Sequence, residues 1–292
     1  MNPSYPIYIV SKGRWEKNKR LTSLALEEIG VPYYIVVEKS QYDNYTSVID
    51  PNKILILPER YLDEYDTCDD MGSTKSKGPG AARNFCWEHS IELGVSHHWV
   101  MDDNIGSFRR LNRNMQIKVS SGTIFKCAED FVERYENVAI SGFNYDFFLP
   151  SKYKFPPFTI NTRIYSCLLI RNDIPYRWRG RYNEDTDLSL RVLKDGWCTI
   201  QFNAFIQEKK ETQGLEGGNT DEFYKHEGTY NKSEMLVRLH PDVAKLTVRY
   251  GRDHHFVDYK PFKNNKLIIK NINIPVVVNN YGMKMIEIED KI

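Results

Sequence analysis

Short apolar runs alternate with amphipathic stretches through the first hundred residues. Four runs of four to six mainly apolar residues predict buried strands, at 6–10, 32–37, 53–57 and 98–101. Two stretches between them, 16–29 and 81–93, have helical periodicity and are each followed by a glycine. Strands that alternate with helices indicate βαβ units and a mostly parallel sheet, so the predicted fold class is α/β, with helices flanking the sheet.

The second half of the chain has a less regular pattern. Further elements are predicted as helices over 125–135 and 184–194, and as strands over 138–141, 164–170, 197–202 and from 266 onward. The polar, glycine-rich stretch 209–219 predicts a loop. The simplest organisation is a core over residues 1–205 followed by a C-terminal part over 206–292.

Composition narrows the class of protein. The 40 basic and 39 acidic side chains give a net charge of +1, which excludes an overall polycation but permits a local basic patch. No apolar run approaches the roughly 20 residues of a membrane helix, and the start of the chain does not resemble a signal peptide. Five widely spaced cysteines without a Cys-x-x-Cys pair argue against a zinc ribbon or a disulfide framework. We therefore expect a reducing, cytoplasmic setting.

Aromatic residues make up 13% of the chain. This enrichment suits a groove in which rings stack on sugars or bases, and it suits a well-packed core equally well.

Three polar residues follow the predicted strand at 98–101. Asp102, Asp103 and Asn104 offer oxygen ligands where parallel sheets bind their ligands, at the carboxyl ends of strands. This pattern is typical of a divalent cation that holds a diphosphate. The alternative is an Asp-rich turn or a helix cap.

A glycine-containing segment precedes the predicted helix at 81–93. Gly80 exposes backbone N–H groups at the helix start, and Arg83 and Asn84 follow in its first turn. Together they can bind a phosphate, although a Gly-Pro turn with a solvated arginine has the same sequence.

Acidic residues begin the helix predicted over 184–194. Glu184 and Asp185 are candidates for a general base that takes a proton from an attacking hydroxyl. The alternative is a pair of acids stabilised by the helix dipole. Asp187 is a weaker candidate because it points to another face.

Two adjacent histidines lie near the end of the chain. His254 or His255 can complete a metal shell that the aspartates begin, and a surface turn is the alternative. His240 is a third candidate.

Basic and aromatic residues mix just before Glu184. Arg177, Trp178, Arg179 and Arg181 suit phosphates and a flipped base, and Lys152, Lys154 and Arg163 add charge nearby. A solvated loop whose arginines pair with acids is the alternative.

The order of these motifs resembles family 2 glycosyltransferases of the GT-A fold, through residues 80–84, 102–104 and 183–188. The residues 8–15, 82–90 and 251–259 narrow the resemblance to the TET-associated glycosyltransferases of bacteriophages. The resemblance extends over about 7–259.

The resemblance implies a GT-A fold, a UDP-sugar donor, Mn²⁺ or Mg²⁺, and DNA with hydroxymethylated pyrimidines as the acceptor. It implies that Asp185 is the base, that Arg83 faces the uridine or diphosphate, and that Ser11 and Arg14 hold the nucleoside. The resemblance also implies that Asp102 contacts the nucleotide and that the metal lies by Asp103 or Asn104. Asn104 departs from the usual aspartate and is a weaker metal ligand.

The resemblance further implies that the C-terminal part completes the active site on its acceptor side. Neither a membrane nor an obligate protein partner is expected. The alternatives are a polysaccharide or protein acceptor, a nucleotidyltransferase with a similar sheet, and a nucleic-acid-binding module without catalysis.

Overall fold

The computed structural model describes residues 1–69, 77–210, 230–249 and 251–271, together with residues 278 and 282. Its strands are β1 Ile7–Val10, β2 Tyr34–Glu38, β3 Ile54–Leu57, β4 His97–Asp102, β5 Ile105–Asn112, β6 Met115–Lys118, β7 Val138–Tyr145, β8 Phe158–Ile160, β9 Cys167–Arg171, β10 Cys198–Lys209, β11 Ala244–Arg249 and β12 Arg252–Val257. Its helices are α1 Leu21–Glu28, α2 Tyr42–Thr46, α3 Glu59–Asp63, α4 Gly80–Glu92, α5 Thr123–Val132, α6 Glu184–Lys194 and α7 Tyr230–Leu239.

Most of the strands belong to one sheet with the order β3-β2-β1-β4-β9-β7-β10-β5-β6, and β8 pairs with β10. Strands β3, β2, β1 and β4 are parallel, and β7 is parallel to β10. Strand β9 is antiparallel to both β4 and β7, so β7 and β10 point the same way as β4. The carboxyl ends of β1, β4, β7 and β10 therefore lie along one edge of the sheet.

The central strands are buried on both faces, which explains their nearly continuous apolar sequences. Within β1, Ile9 packs into a core with α1 and α5, whereas Val10 packs into a second core with α4 and α6. The sheet is thus the middle layer between two layers of helices.

The C-terminal part packs on the core through α7. Leu236 of α7 joins Leu190 and Leu193 of α6 in a small apolar cluster, and β11 and β12 form a separate antiparallel ribbon. The boundary predicted after residue 205 falls inside β10, because this strand continues to Lys209.

The predicted α/β class, with a mostly parallel sheet flanked by helices, is confirmed. The hairpin of β5 and β6 was not predicted from the sequence, because exposed charged and polar residues interrupt the apolar pattern of both strands. Its turn has positive φ at Arg113 (49°) and Asn114 (63°), as a two-residue hairpin turn requires. The predicted loop lies outside the described residues from 211 onward, and so does most of the tail after 271.

Candidate active site

Asp102 is the last residue of β4 and lies at the carboxyl edge of the sheet. Its Oδ1 accepts a hydrogen bond of 2.6 Å from Arg83, and its Oδ2 accepts bonds from Lys209 (2.6 Å) and Ser166 (2.8 Å). Burial opposes ionisation of Asp102, but Lys209 and Arg83 outweigh that effect and hold its pKa below the ordinary value. Asp102 is therefore a charged carboxylate at neutral pH.

The next residue, Asp103, turns toward the end of β1. It forms an ion pair with Arg14, and its Oδ2 accepts a 2.7 Å hydrogen bond from Ser11. Ser11 also contacts the hydroxyl of Tyr45 at 2.6 Å, and all four side chains are buried. The structure thus brings together the two residues predicted to hold the nucleoside, next to Asp103.

The Asp-Asp-Asn turn is fixed from two sides. Thr22 of α1 donates its hydroxyl to the carbonyl of Asp102 at 2.6 Å and accepts from the N–H of Ile105 at 2.9 Å. Asn104 is buried and donates from Nδ2 to the carbonyl of Lys210 at 3.1 Å, which ties the turn to the end of β10. This contact places Lys209 beside Asp102.

Arg83 connects α4 to the start of α6. Its guanidinium bonds Asp102 with one nitrogen and Glu184 with the other, at 3.0 Å, and stacks 4.7 Å from the Trp178 ring centre. The side chain of Arg83 is only 2% exposed. It therefore holds the two acids in place. The sequence predicts that Arg83 faces the uridine or diphosphate of the sugar donor, whereas its guanidinium is enclosed in this structure.

Asp185 lies in the first turn of α6 and is partly exposed. Its Oδ1 accepts a 2.7 Å hydrogen bond from the N–H of Thr186, and it pairs with no Lys, Arg or His in the described part of the chain. Burial raises its pKa, the nearby Arg83 offsets only part of this rise, and the negative Asp102 adds to it. Glu184 is more deeply buried, and burial raises its pKa despite the contact with Arg83.

A row of aromatic rings leads from the surface to these acids. Tyr145 stacks on Phe147 with ring centres 5.0 Å apart and on Tyr165 at 6.1 Å, both nearly parallel. Phe147 is 59% exposed, whereas the Tyr165 hydroxyl accepts a 3.3 Å hydrogen bond from Thr186, next to Asp185. Arg163 lies over the Tyr165 ring, 5.0 Å from its centre.

The remaining predicted residues of the glycine segment have structural contacts. A Cβ on Gly80 would lie 1.8 Å from the hydroxyl of Tyr65, so glycine is required for close packing there. Both ends of the Asn84 amide bond the backbone of Trp178, at 2.8 and 2.9 Å. These contacts fix α4 against the segment before α6, and the contacts of both residues with a sugar donor stay a prediction.

Of the predicted acceptor residues before α6, Trp178 and Arg181 are buried, whereas Arg177 and Arg179 are partly exposed and pair with acids. Trp178 is 2% exposed and packs in the core beneath Arg83, so its ring cannot stack on an acceptor. Arg181 is also buried, Arg177 pairs with Glu88 at 2.7 Å, and Arg179 bonds Asp187 at 3.2 Å. The alternative in which these arginines pair with acids is the one observed.

The carboxylate oxygens that could bind a metal ion already have partners in the protein. Asp102 and Asp103 use both of their carboxylate oxygens on Lys209, Ser166, Arg83, Arg14 and Ser11. Among the residues that the structure describes, no group of three His, Cys, Asp or Glu side chains can hold a metal ion. The buried Oδ1 of Asn104 has no hydrogen-bond partner, but it is a single neutral ligand. The side chains within the described ranges therefore do not fit a resident divalent cation.

The two histidines lie on β12 instead of joining the aspartates. Burial, with the charges of Lys232 and Arg163, lowers the pKa of His255 to about 4. His255 is thus neutral at neutral pH and belongs to the surroundings of Arg163, on the side of the site where Asp185 lies. His240 bonds the buried Asp187 at 2.9 Å.

Several site residues were not found from the sequence. The sequence predicts a loop at Lys209, because the polar end of β10 lacks the alternation of a strand. Ser166, Tyr145 and Tyr165 each lie at a strand end on the carboxyl edge, and that position is the one signal that could have identified them.

The cluster of acids and cations lies at the carboxyl edge of a mostly parallel sheet, which is where α/β enzymes bind their ligands. Residues 5–218 match the model of the TET-associated glycosyltransferase family, and the chain belongs to that family. No curated protein matches the chain significantly.

Two solved structures have a limited likeness to this one. A protein from Desulfovibrio desulfuricans, described as a nucleotide-diphospho-sugar transferase, has 10% identity and a TM-score of 0.37, over 81% of this chain and 96% of that one. The mannose-1-phosphate geranyltransferase from Thermus thermophilus has 11% identity and a TM-score of 0.31, over 70% and 57%. Within the described ranges, no helix has the length and apolar character needed to cross a membrane.

Proposed function

We propose that this glycosyltransferase moves a sugar from a UDP-sugar to the hydroxyl of a hydroxymethylated pyrimidine in DNA. Membership of the TET-associated family supports sugar transfer. The cluster of Ser11, Arg14 and Asp103 lies at the end of β1, where parallel sheets of this kind bind nucleotides, and it supports a nucleotide-linked donor.

The observation that carries the chemistry is the state of Asp185. Three of the four acids at the site are ion-paired, Asp102 with Lys209 and Arg83, Asp103 with Arg14, and Glu184 with Arg83. Asp185 pairs with none of the described cations, and its pKa is raised by burial. A partly exposed carboxylate with a raised pKa is suited to accept a proton.

The transfer is a single displacement. The acceptor oxygen forms a bond to the anomeric carbon while the bond from that carbon to the diphosphate oxygen breaks. The electron pair of the broken bond leaves with UDP, and the proton of the acceptor hydroxyl moves to Asp185. Attack opposite to the leaving group inverts the anomeric centre.

The acceptor side is the aromatic row of Phe147, Tyr145 and Tyr165. Its parallel rings reach from an exposed phenylalanine to the neighbour of Asp185, and the exposed ring can stack on a base turned out of the duplex. Exposed Lys152 and Lys154 follow in the chain and can contact phosphates. His255 and Tyr259 of the C-terminal part lie near Arg163 and complete this side.

The test is UDP release from UDP-glucose with three matched acceptors. Oligonucleotides that contain 5-hydroxymethylcytosine or 5-hydroxymethyluracil are compared with an unmodified oligonucleotide of the same sequence. We expect UDP release well above the hydrolysis background only with a hydroxymethylated strand. The mass of that strand should increase by one hexose.

Other outcomes separate the alternatives. Release with a polysaccharide or a protein, but not with modified DNA, would retain the transferase and reject the DNA acceptor. A nucleotidyltransferase would form UDP-glucose from UTP and glucose 1-phosphate. DNA binding without turnover on any donor or acceptor would indicate a binding module.

A further inference from the structure

We infer that the ammonium group of Lys209, in place of a metal ion, is the cation that neutralises the diphosphate as the sugar leaves. This inference rests on the proposed use of a UDP-sugar. It starts from the mismatch between the site and a divalent cation, whose ligands are already taken by side chains of the protein.

Within the described part of the chain, two of the three N–H donors of Lys209 have a hydrogen-bond acceptor. Its Nζ lies 2.6 Å from Oδ2 of Asp102 and 2.5 Å from Oγ of Ser166. An ammonium group has three donors, and these two acceptors are its hydrogen-bond partners among the described residues. The third donor remains for an oxygen of the diphosphate.

Lys209 is also the most accessible cation paired with the two aspartates. Its side chain is 13% exposed, against 7% for Arg14 and 2% for Arg83. Arg83 is further occupied by Glu184 and Trp178. An incoming phosphate can therefore reach Lys209 most easily of the three.

The position of Lys209 is fixed by its strand. The pairing of β10 with β5 shifts register between Glu208 and Lys209, which turns the Lys209 side chain into the edge of the sheet beside Asp102. The bond from Asn104 to the Lys210 carbonyl holds the following residue. A cation held in this way needs little reorganisation when negative charge develops on the leaving group.

The first experiment measures binding instead of turnover. UDP and uridine are titrated calorimetrically into the wild-type protein in EDTA, because uridine lacks the diphosphate and reports the nucleoside contacts alone. We expect UDP to bind more tightly than uridine without metal. In Lys209→Met the affinity for UDP should fall by about 10- to 150-fold, the range of one hydrogen bond to a charged group, while uridine binding is retained.

Two further variants control for charge and for folding. Lys209→Arg keeps the positive charge and should retain most of the preference for UDP. Lys210→Met removes the neighbouring lysine, which is 56% exposed and lies 3.7 Å from Glu208, and should match the wild type. Retained uridine binding in Lys209→Met shows that the site is folded.

The outcomes distinguish this inference from the proposed function. If EDTA abolishes the UDP preference of the wild type and Mn²⁺ restores it, or if Lys209→Met keeps that preference, the role of Lys209 is overturned and the glycosyltransferase stands. If the wild type binds neither UDP nor uridine and transfers no sugar from UDP-glucose, the UDP-sugar donor fails together with the role of Lys209.

Discussion

Four acidic side chains meet at the carboxyl edge of the sheet, and their neighbours give them different affinities for a proton. Lys209 and Arg83 overcome the burial of Asp102 and keep its pKa low. Burial dominates at Asp103, Glu184 and Asp185, and it raises the pKa of each. When their surroundings give two neighbouring carboxyl groups different pKa values, one can stay a fixed anion while the other accepts a proton.

The pH dependence of turnover follows from Asp185. A general base acts only when it is ionised, so kcat/KM should fall as the pH drops through the pKa of Asp185. Because this pKa lies above the ordinary 3.8, activity should be lost at higher pH than for an exposed aspartate. The measurement is kcat/KM for the acceptor between about pH 3 and pH 8. An acidic limb at the pKa of an ordinary aspartate would contradict the assignment.

Phe147 tests the aromatic row. Phe147→Ala removes the exposed outer ring, so the KM for a DNA acceptor should rise by about 5- to 150-fold, which corresponds to ~1–3 kcal/mol for one stacked base. UDP binding should not change, since the ring lies at the acceptor end of the row. The control is Leu93→Ala, which removes an apolar side chain that is 49% exposed. Leu93 directly follows α4, at the end of that helix away from Arg83. Equal KM values in both variants would remove Phe147 from the acceptor site.

At this scale the sequence identified the acids but few of their partners. Asp102, Asp103 and Asp185 could be found because they follow a strand or begin a helix. The enclosure of Trp178 and Arg181 could not, because burial of a loop residue depends on what packs over it. Lys209 comes to Asp102 from 107 residues further along the chain.

The start of α6 is held by a buried charge cluster. Asp187 is fully buried and accepts bonds from Arg191 (2.7 Å), Arg179 (3.2 Å) and His240 (2.9 Å), which join α6 to the segment before it and to the end of α7. These partners outweigh burial and lower the pKa of Asp187. The cluster therefore sets the orientation of the helix that carries Asp185.

Asp187→Asn should lower the free energy of unfolding by about 1.5–3 kcal/mol, because it removes the charge that strengthens the hydrogen bonds from Arg191, Arg179 and His240 to this buried side chain. The wild-type cluster stabilises the fold above the unfolded pKa of an aspartate, and that stability is lost as the pH falls through the lower folded pKa. The variant should therefore lose less stability in acid than the wild type does. Urea unfolding at pH 7 and at about pH 2.5, below the unfolded pKa of an aspartate, measures both effects, with the exposed Asp63→Asn as the control. Unfolding curves that coincide with those of the wild type would show that the cluster is not stabilising.

At the scale of elements, the sequence predicts the buried strands and the long helices well. The helix predicted over 184–194 is found with the same bounds. The helix predicted over 16–29 begins only at Leu21, and the ribbon of β11 and β12 was not predicted. Exposed helices and strands lack a clear alternation of apolar and polar residues, so the sequence pattern does not show their period. Tertiary contacts determine whether they form.

Across the whole molecule, the fold class and the edge of the sheet that carries the site follow from the sequence, because parallel sheets bind ligands at one edge. The order of the strands is less accessible. The antiparallel β9 between β4 and β7 brings Ser166 to Asp102, and β10 brings Lys209 to the same place. No local pattern contains that arrangement.

The central claim is that Asp185 takes the proton from the acceptor, and Asp185→Asn tests it most directly. The substitution keeps the size and the hydrogen bond from Thr186 but removes the basicity. We expect kcat for sugar transfer to fall by about 10²- to 10⁴-fold while the affinity for UDP stays within a factor of about two. Asp63→Asn should behave as the wild type. If Asp185→Asn turned over normally and only its melting temperature fell, Asp185 would be a helix-capping acid and the proposed chemistry would be wrong.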